Sequence, residues 1–153
     1  MLRRDSPNFD ARPPGLAVDT IVLHATVFDT LEETCSHFEN PESQVSTHYT
    51  VDRDGTVVQH VDESRSAFHA GVSRMPDGRE KVNDFSIGIE LVNLNDAIDP
   101  YPMEQLSALE TLLHQISTRH PIANIVTHAE IAQPPGRKTD PAGLDPSQFR
   151  PKR

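Results

Sequence analysis

The chain has 153 residues and a formal net charge of −9, and these two values already exclude several classes of protein. A chain of this length forms one domain with a substantial core, but not two. Its acidic charge disfavours nucleic-acid binding, because a negative surface repels phosphates and the basic residues are scattered rather than grouped. No apolar stretch is long enough to span a membrane.

Residues 1–19 predict an extended N-terminal arm laid over the domain, because their prolines disfavour both a helix and a central strand. Residues 20–26 are mostly β-branched or apolar and predict the first strand. The alternation of side chains places His24 on the same face as Val22, close to the end of this strand. A chemically active side chain is therefore expected where the strand ends.

A short amphipathic helix is predicted next, because Thr30 and Glu33 form a capping-box pattern and apolar residues recur at positions 31, 35 and 38. The helix is expected to end at Asn40-Pro41. Cys35, the only cysteine, lies on its apolar face. One cysteine excludes an internal disulfide bond, and we interpret Cys35 as a buried, unreactive thiol.

Residues 47–61 change to a period of two and predict a β-hairpin that turns at Asp54-Gly55. Each of its strands carries a histidine. His60 is interpreted as a structural residue. For His48, both a structural role and a place in the same cleft as His24 stay open.

Residues 62–84 predict a long, ordered loop, and the strand that follows contains the sharpest anomaly in the sequence. In S-I-G-I-E-L, Glu90 shares one face with Ser86 and Gly88, so a carboxylate projects from a central strand. Burying an unpaired carboxylate is costly or raises its pKa. Two interpretations stay open: Glu90 belongs to a structural ion pair, or it handles protons beside a bound metal ion.

Residues 102–120 predict the main helix, with its histidines at 114 and 120 exposed. Its apolar stripe is expected to contain Met103, Leu106, Leu109, Leu113 and Ile116. The predicted elements run strand, helix, hairpin, strand, helix, strand. This order favours an α/β fold with a central mixed β-sheet flanked by helices, as a single domain over residues 1–153.

Three side chains are candidate metal ligands. Residues 124–127 predict a buried strand that leads into His128, and a proline-rich turn returns Lys138 and Asp140 to the end of that strand. His24 ends a second strand and supplies a third donor. A single histidine at a strand end is more often ordinary, but a catalytic zinc takes three protein ligands, and the grouping favours a shared site.

These motifs and their order resemble the zinc-dependent N-acetylmuramoyl-L-alanine amidases of the type 2 amidase family, which includes AmpD-like enzymes, phage lysins and peptidoglycan recognition proteins. The resemblance covers nearly the whole chain, from S-P-N-F-D-A-R-P to D-P-S-Q-F. It implies that one zinc ion is bound by His24, His128 and Asp140. It also implies that Glu90 and Lys138 are the catalytic residues.

The segment F-H-A-G-V-S resembles the family's W-H-A-G-V-S cleft segment, with a phenylalanine in place of the tryptophan. The resulting candidates for substrate binding are Phe68, His69, Asn83, His48 and Lys81. Several family members have a tyrosine before the hairpin histidine, and this chain has Thr47 there. Glu90 is therefore expected to transfer protons alone.

The reaction that the resemblance implies is hydrolysis of the amide between the lactyl group of N-acetylmuramic acid, or of its 1,6-anhydro form, and L-alanine of a peptidoglycan stem peptide. Two alternatives stay open: a peptidoglycan-binding module without activity, and a zinc amidase of the same fold with another substrate. The full ligand set disfavours the first. Muropeptides are the implied partners, and a monomer is expected. Because the N-terminal sequence lacks the pattern of an export signal, a cytoplasmic recycling enzyme is expected.

Overall fold

The computed structural model describes residues 1–151, so Lys152 and Arg153, the last two residues of the predicted domain, lie outside the described part. The strands are β1 (Leu2–Arg3), β2 (Phe9–Ala11), β3 (Thr20–Ala25), β4 (Tyr49–Val51), β5 (Val57–Gln59), β6 (Arg65–Ala67), β7 (Ser86–Leu91) and β8 (Asn124–Thr127). The α-helices are α1 (Leu31–Glu39), α2 (Met103–Arg119) and α3 (His128–Ile131). A short 3-10 helix, Pro146–Phe149, lies near the C-terminus.

Six strands form a mixed sheet in the order β1-β5-β4-β7-β3-β8. Strands β4, β7, β3 and β8 run parallel, while β5 is antiparallel to β4 and completes the predicted hairpin. In the register of β3 and β7, His24 pairs with Glu90. The neighbouring pair between β3 and β8 joins Leu23 to Thr127, so His128 follows directly beside His24. The mixed sheet flanked by helices confirms the predicted fold class.

The main core packs the α2 helix against one face of the sheet. It includes Ile21 and Leu23 of β3, Ile87, Ile89 and Leu91 of β7, and Leu109, Leu112, Leu113 and Ile116 of α2. The alternation of side chains therefore places Val22, His24 and Glu90 on the other face, as the sequence predicted. The hydrophobic effect fixes this register, because a shift by one residue would move every core side chain to the opposite face, where His24 and Glu90 lie.

The predicted stripe of α2 is wrong at its first position. Met103 is 82% exposed, whereas Gln105 is fully buried. The Gln105 Nε2 donates to the carbonyls of Val51 at 3.0 Å and Val92 at 3.1 Å, so a polar side chain occupies the contact between helix and sheet. Within residues 1–151, no helix combines the length and apolar character needed to cross a bilayer.

The N-terminal arm is more regular than predicted, and so is the loop at 62–84. The arm contributes β1, which pairs with β5 and forms the edge of the sheet, and β2, which pairs antiparallel with β6 inside that loop. Strand β6, with three residues, is too short and too polar to be predicted from periodicity. It forms because β2 of the arm pairs with it, and this pairing joins segments that are distant in the sequence.

Candidate metal centre

Two imidazoles and one carboxylate converge at the carboxyl ends of β3 and β8. The Nδ1 atoms of His24 and His128 are 3.1 Å apart. The carboxylate of Asp140 lies 3.4 Å from His24 Nδ1 and 3.2 Å from His128 Nδ1. All three side chains are buried, and their ligand atoms lie within 4.8 Å of one another. This arrangement could hold a metal ion.

A helix start fixes the position of His128. Thr127 is the N-cap of α3, and it forms a capping box with Glu130, in which each side chain accepts from the other residue's backbone N–H. His128 is therefore the first helical residue, directly after β8 ends. The pattern T-x-x-E in T-H-A-E could have predicted this short helix, as it predicted the Thr30 cap of α1.

The proline-rich turn returns Asp140 to the end of β8, as predicted. The backbone N–H of Arg137 donates to the Pro134 carbonyl at 3.0 Å and closes the turn. The Asp140 carbonyl then accepts from Ala129 N–H at 2.9 Å, and its carboxylate lies 3.4 Å from Ala25 N–H. Asp140 is thus tied by backbone contacts to β3, which carries His24, and to α3, which begins at His128.

The electrostatics of the cluster favour metal binding, because the His24 imidazole is held neutral and the Asp140 carboxylate is held charged. Burial lowers the pKa of His24 to about 4. Burial alone would raise the pKa of Asp140, but hydrogen bonds from His128 and His24, with the electrostatic interactions of their rings, outweigh it and hold that pKa well below its usual value. A metal ion needs these protonation states in its ligands.

Glu90 lies beside this cluster without a charged partner of its own. It is 8% exposed, and its Oε2 atom accepts no hydrogen bond from residues 1–151. Burial raises the pKa of Glu90 well above its usual value, the charge of Asp140 raises it further, and the charge of Lys138 opposes both. The ion-pair interpretation therefore lacks a partner in the structure, and the interpretation as a proton-transfer group remains.

The cluster opens into a cleft with a volume of about 570 Å³. The apolar part of its lining comes from Val27, Phe28, Phe38, Val45 and Phe68. The remaining lining includes Asn83, Glu90, Arg137 and Lys138 with the three cluster residues. A volume of this order accommodates a small-molecule ligand. The sequence-predicted Phe68, Asn83 and Lys138 therefore lie together in one cleft.

His69 also lines the cleft, but both of its ring nitrogens are already paired. Its Nδ1 lies 3.0 Å from His24 Nε2, and its Nε2 lies 3.0 Å from the Ser86 hydroxyl. Asn83 is partly engaged as well, since its Oδ1 accepts from the backbone N–H groups of His69 and Ala70. These two predicted substrate contacts thus also organise the site internally.

Two other predicted substrate residues do not reach the cleft. His48 is fully buried, and its Nδ1 accepts from Gly88 N–H, which leaves Nε2 to donate to the Arg65 carbonyl at 2.8 Å. The error has a structural cause, because backbone groups of β7 and β6 use both ring nitrogens of His48. Lys81 is exposed and precedes a 3-10 turn, Val82–Phe85, outside the cleft lining.

Two histidines that were not predicted to belong to the site, His60 and His120, make structural contacts with other segments. His60, as predicted, is structural: it lies 3.0 Å from the Arg4 carbonyl and 2.7 Å from the Thr50 hydroxyl. His120 was expected to be exposed, but it lies 2.9 Å from Glu63 and is only partly accessible. The contact forms because α2 ends above the segment that contains Glu63.

Sequence reasoning missed Arg12, which supports the site from behind. Its guanidinium donates to four backbone carbonyls, those of Glu63, Asn83, Asp84 and Ser86. Two of these belong to residues that contact His69. The only available signal was a lone arginine in a proline-rich arm, which does not show where the arm lies.

Known proteins resemble the chain in both sequence and fold. The family model described as N-acetylmuramoyl-L-alanine amidase matches residues 14–143. The 1,6-anhydro-N-acetylmuramyl-L-alanine amidase AmpD of Citrobacter freundii is 44% identical over 110 residues, which cover 70% of this chain and 56% of that protein. The enzyme of the same name from Escherichia coli (strain K12) is 36% identical over 168 residues, covering 97% of this chain and 89% of that protein.

A solved structure extends this likeness to the fold. It is the complex of the N-acetylmuramyl-L-alanine amidase AmiD from E. coli with the substrate anhydro-N-acetylmuramic acid-L-Ala-D-gamma-Glu-L-Lys. The two chains share 33% sequence identity with a TM-score of 0.77, over 91% of this chain and 57% of that one. The chain thus spans little more than half of two of these relatives and most of the third.

Proposed function

Because the chain belongs to the N-acetylmuramoyl-L-alanine amidase family, we propose that it hydrolyses the amide between the lactyl group of N-acetylmuramic acid, or of its 1,6-anhydro form, and L-alanine of a stem peptide. One observation carries the proposal: a buried His-His-Asp group lies next to a buried carboxylate that has no charged partner among residues 1–151, and both face one cleft. The names of the relatives support the bond that is cleaved, and those of AmpD and the AmiD complex support the anhydro form.

The donor set fits zinc. Two imidazole nitrogens and one carboxylate oxygen are a common ligand set for catalytic zinc, which keeps a further coordination position open. We assign the three ligands to His24 Nδ1, His128 Nδ1 and Asp140. When bound there, zinc would supply a Lewis acid that polarises the substrate carbonyl and acidifies water.

Glu90 is the proposed general base and acid. Its carboxylate accepts a proton from the attacking water and then delivers it to the departing amine of L-alanine. Burial supports this role, because it raises the pKa of Glu90 towards the working pH, where a carboxylate both accepts and donates protons. The register of the sheet, which pairs Glu90 with His24, places it beside the ligands.

Lys138 is the proposed stabiliser of the negative charge that develops on the carbonyl oxygen. It lines the cleft, and its charge opposes the rise in the pKa of Glu90 and adds a small part to the lowering of the pKa of His24. A fixed cation near a developing oxyanion stabilises the transition state more than the ground state. Phe68 and Asn83 are proposed to contact the substrate along the cleft.

The test is an assay of the purified protein on an anhydromuropeptide and on intact peptidoglycan sacculi, each with and without a metal chelator. We expect release of the stem peptide from the anhydromuropeptide, loss of activity with the chelator, and recovery when zinc is restored. Asp140→Ala is the matched inactive control. Cleavage that survives complete metal removal would contradict the mechanism, and cleavage of sacculi alone would contradict the role in muropeptide recycling.

A further inference from the structure

His24 has different neighbours at its two ring nitrogens. Nδ1 faces the other candidate ligands, with His128 Nδ1 at 3.1 Å and Asp140 Oδ2 at 3.4 Å. Nε2 faces away from them, 3.0 Å from His69 Nδ1. A neutral imidazole carries one proton. If Nδ1 binds a metal ion, that proton must therefore be on Nε2.

The position of this proton determines the hydrogen bonds of the next two side chains. His24 Nε2–H donates to His69 Nδ1, so His69 carries its own proton on Nε2. That proton is directed at the Ser86 hydroxyl oxygen, 3.0 Å away. His24, His69 and Ser86 are 2%, 7% and 0% exposed, so water does not replace any member of the chain.

We propose that His69, with Ser86 behind it, is a positioning residue that holds the His24 ring and keeps its Nδ1 unprotonated towards the metal position. This inference rests on the metal site of the proposed function, and it gives His69 an internal task instead of substrate contact. A group that hydrogen-bonds to the second ring nitrogen of a metal-bound histidine orients the ring and raises its affinity for the ion.

The surrounding backbone is built to hold the His69 ring in this place. A Cβ atom at Gly88 would lie 2.6 Å from His69 Cγ, so any side chain at residue 88 would displace the ring. Asn83 Oδ1 accepts from His69 N–H at 3.3 Å and from Ala70 N–H at 2.9 Å, which fixes the backbone on the other side.

The same short segment orients the second imidazole. His128 Nε2 donates to the Ala70 carbonyl at 3.0 Å, which leaves its Nδ1 free towards Asp140. A carbonyl can only accept, so the tautomer of His128 is fixed. His69 can accept or donate at either nitrogen, so the tautomer of His24 depends on the whole chain to Ser86. Two consecutive residues, His69 and Ala70, therefore set both metal-facing nitrogens.

The experiment measures zinc affinity by competition with a chromophoric chelator in four variants. His69→Leu removes the acceptor, His69→Asn keeps an oxygen acceptor near the Nδ1 position, and Ser86→Ala removes the end of the chain. Ser6→Ala is the matched control, because Ser6 is a buried serine outside the cleft lining that donates to the Phe38 backbone carbonyl. The visible spectrum of bound cobalt is recorded as a second readout, since it reports ligand geometry without turnover.

We expect His69→Leu to weaken zinc binding by roughly 10- to 100-fold and to change the cobalt spectrum. His69→Asn should recover part of that loss. Ser86→Ala should weaken zinc binding by about 3- to 10-fold, a smaller effect because Ser86 is the outer partner. Ser6→Ala should bind zinc as the unmodified protein does. Unchanged affinity in a folded His69→Leu variant would overturn the proposal. If that variant does not fold, unchanged affinity in Ser86→Ala overturns it.

The outcome is separable from the amidase assignment. Zinc affinity that responds to these substitutions in a protein without amidase activity would contradict only the proposed reaction. Full amidase activity together with unchanged zinc affinity in His69→Leu or Ser86→Ala would contradict only the positioning role.

Discussion

Glu90 is buried beside His24, and its Oε2 atom has no hydrogen-bond partner among residues 1–151. Alternation along S-I-G-I-E-L was sufficient to predict this residue, because a strand places every second side chain on one face. The same rule located His24 beside it. The roles of His69 and His48 could not be predicted, since each depends on contacts between segments that are distant in the sequence.

The first prediction concerns proton transfer by Glu90. Glu90→Gln keeps the shape of the side chain but removes the carboxylate, so turnover of the muropeptide should fall by roughly 100-fold or more. Zinc content should stay unchanged, because Glu90 is not one of the proposed ligands. Steady-state kinetics and metal analysis check both parts. A variant with full turnover would remove the assigned role.

The second prediction concerns Cys35, which is 1% exposed in α1. Burial raises the pKa of its thiol, so the reactive thiolate is disfavoured. Cys35→Ser should therefore keep its amidase activity and lose about 1 kcal/mol of unfolding free energy, because a hydroxyl is less favourable in an apolar position. A folded but inactive Cys35→Ser protein would show that the thiol takes part in the chemistry.

The elements that carry the site are the parallel strands β3, β7 and β8: His24 lies in β3, Glu90 lies in β7, and His128 directly follows β8. Their apolar runs made them predictable. The arm was less predictable, because prolines indicate only that it is not a helix or a central strand. Its pairing of β2 with β6, and the contacts of Arg12 with four backbone carbonyls, follow from where the arm lies in three dimensions.

The third prediction tests the arm through Arg12. Burial lowers the pKa of its guanidinium to about 10. Hydrogen bonds to four backbone carbonyls nevertheless hold the guanidinium in place. Arg12→Lys keeps the charge but cannot reach all four carbonyls, because an ammonium lacks the planar fork. The unfolding free energy should fall by roughly 2–4 kcal/mol.

Urea denaturation measures this loss. Arg74→Lys is the matched control, because the Arg74 side chain is 57% exposed and pairs only with the exposed Glu80. Its effect should stay within about 0.5 kcal/mol. Equal midpoints for both variants would mean that the arm adds little to stability.

At the scale of the whole molecule, a polar network ties the end of α2 to the sheet. Glu63 accepts hydrogen bonds from Arg119 and from the Tyr49 hydroxyl, and it contacts His120. The sequence predicted one α/β domain because the order of its elements determines how they layer. It could not predict this network, which joins side chains from three separate segments.

The fourth prediction follows from the charge of Glu63. Burial would raise its pKa, but hydrogen bonds from Arg119, Tyr49 and His120 outweigh it and lower the pKa to about 2. A lowered folded-state pKa gives stability that is present above the unfolded value of 4.5 and is lost as the pH falls towards about 2.

We therefore expect the unmodified protein to be more stable than Glu63→Gln near neutral pH, by an amount on the order of 2 kcal/mol. The difference should shrink as the pH falls below about 4.5. Denaturation curves over this range check the prediction. A difference that does not depend on pH would show that the charge of Glu63 contributes nothing.

The most direct test of the account is a zinc-edge anomalous difference map from a crystal of the zinc-loaded protein. We predict one strong peak in the cleft, about 2.0–2.2 Å from His24 Nδ1, His128 Nδ1 and an Asp140 carboxylate oxygen. A map without a peak between these three side chains, or with zinc bound elsewhere, would contradict the proposed metal centre and the mechanism built on it.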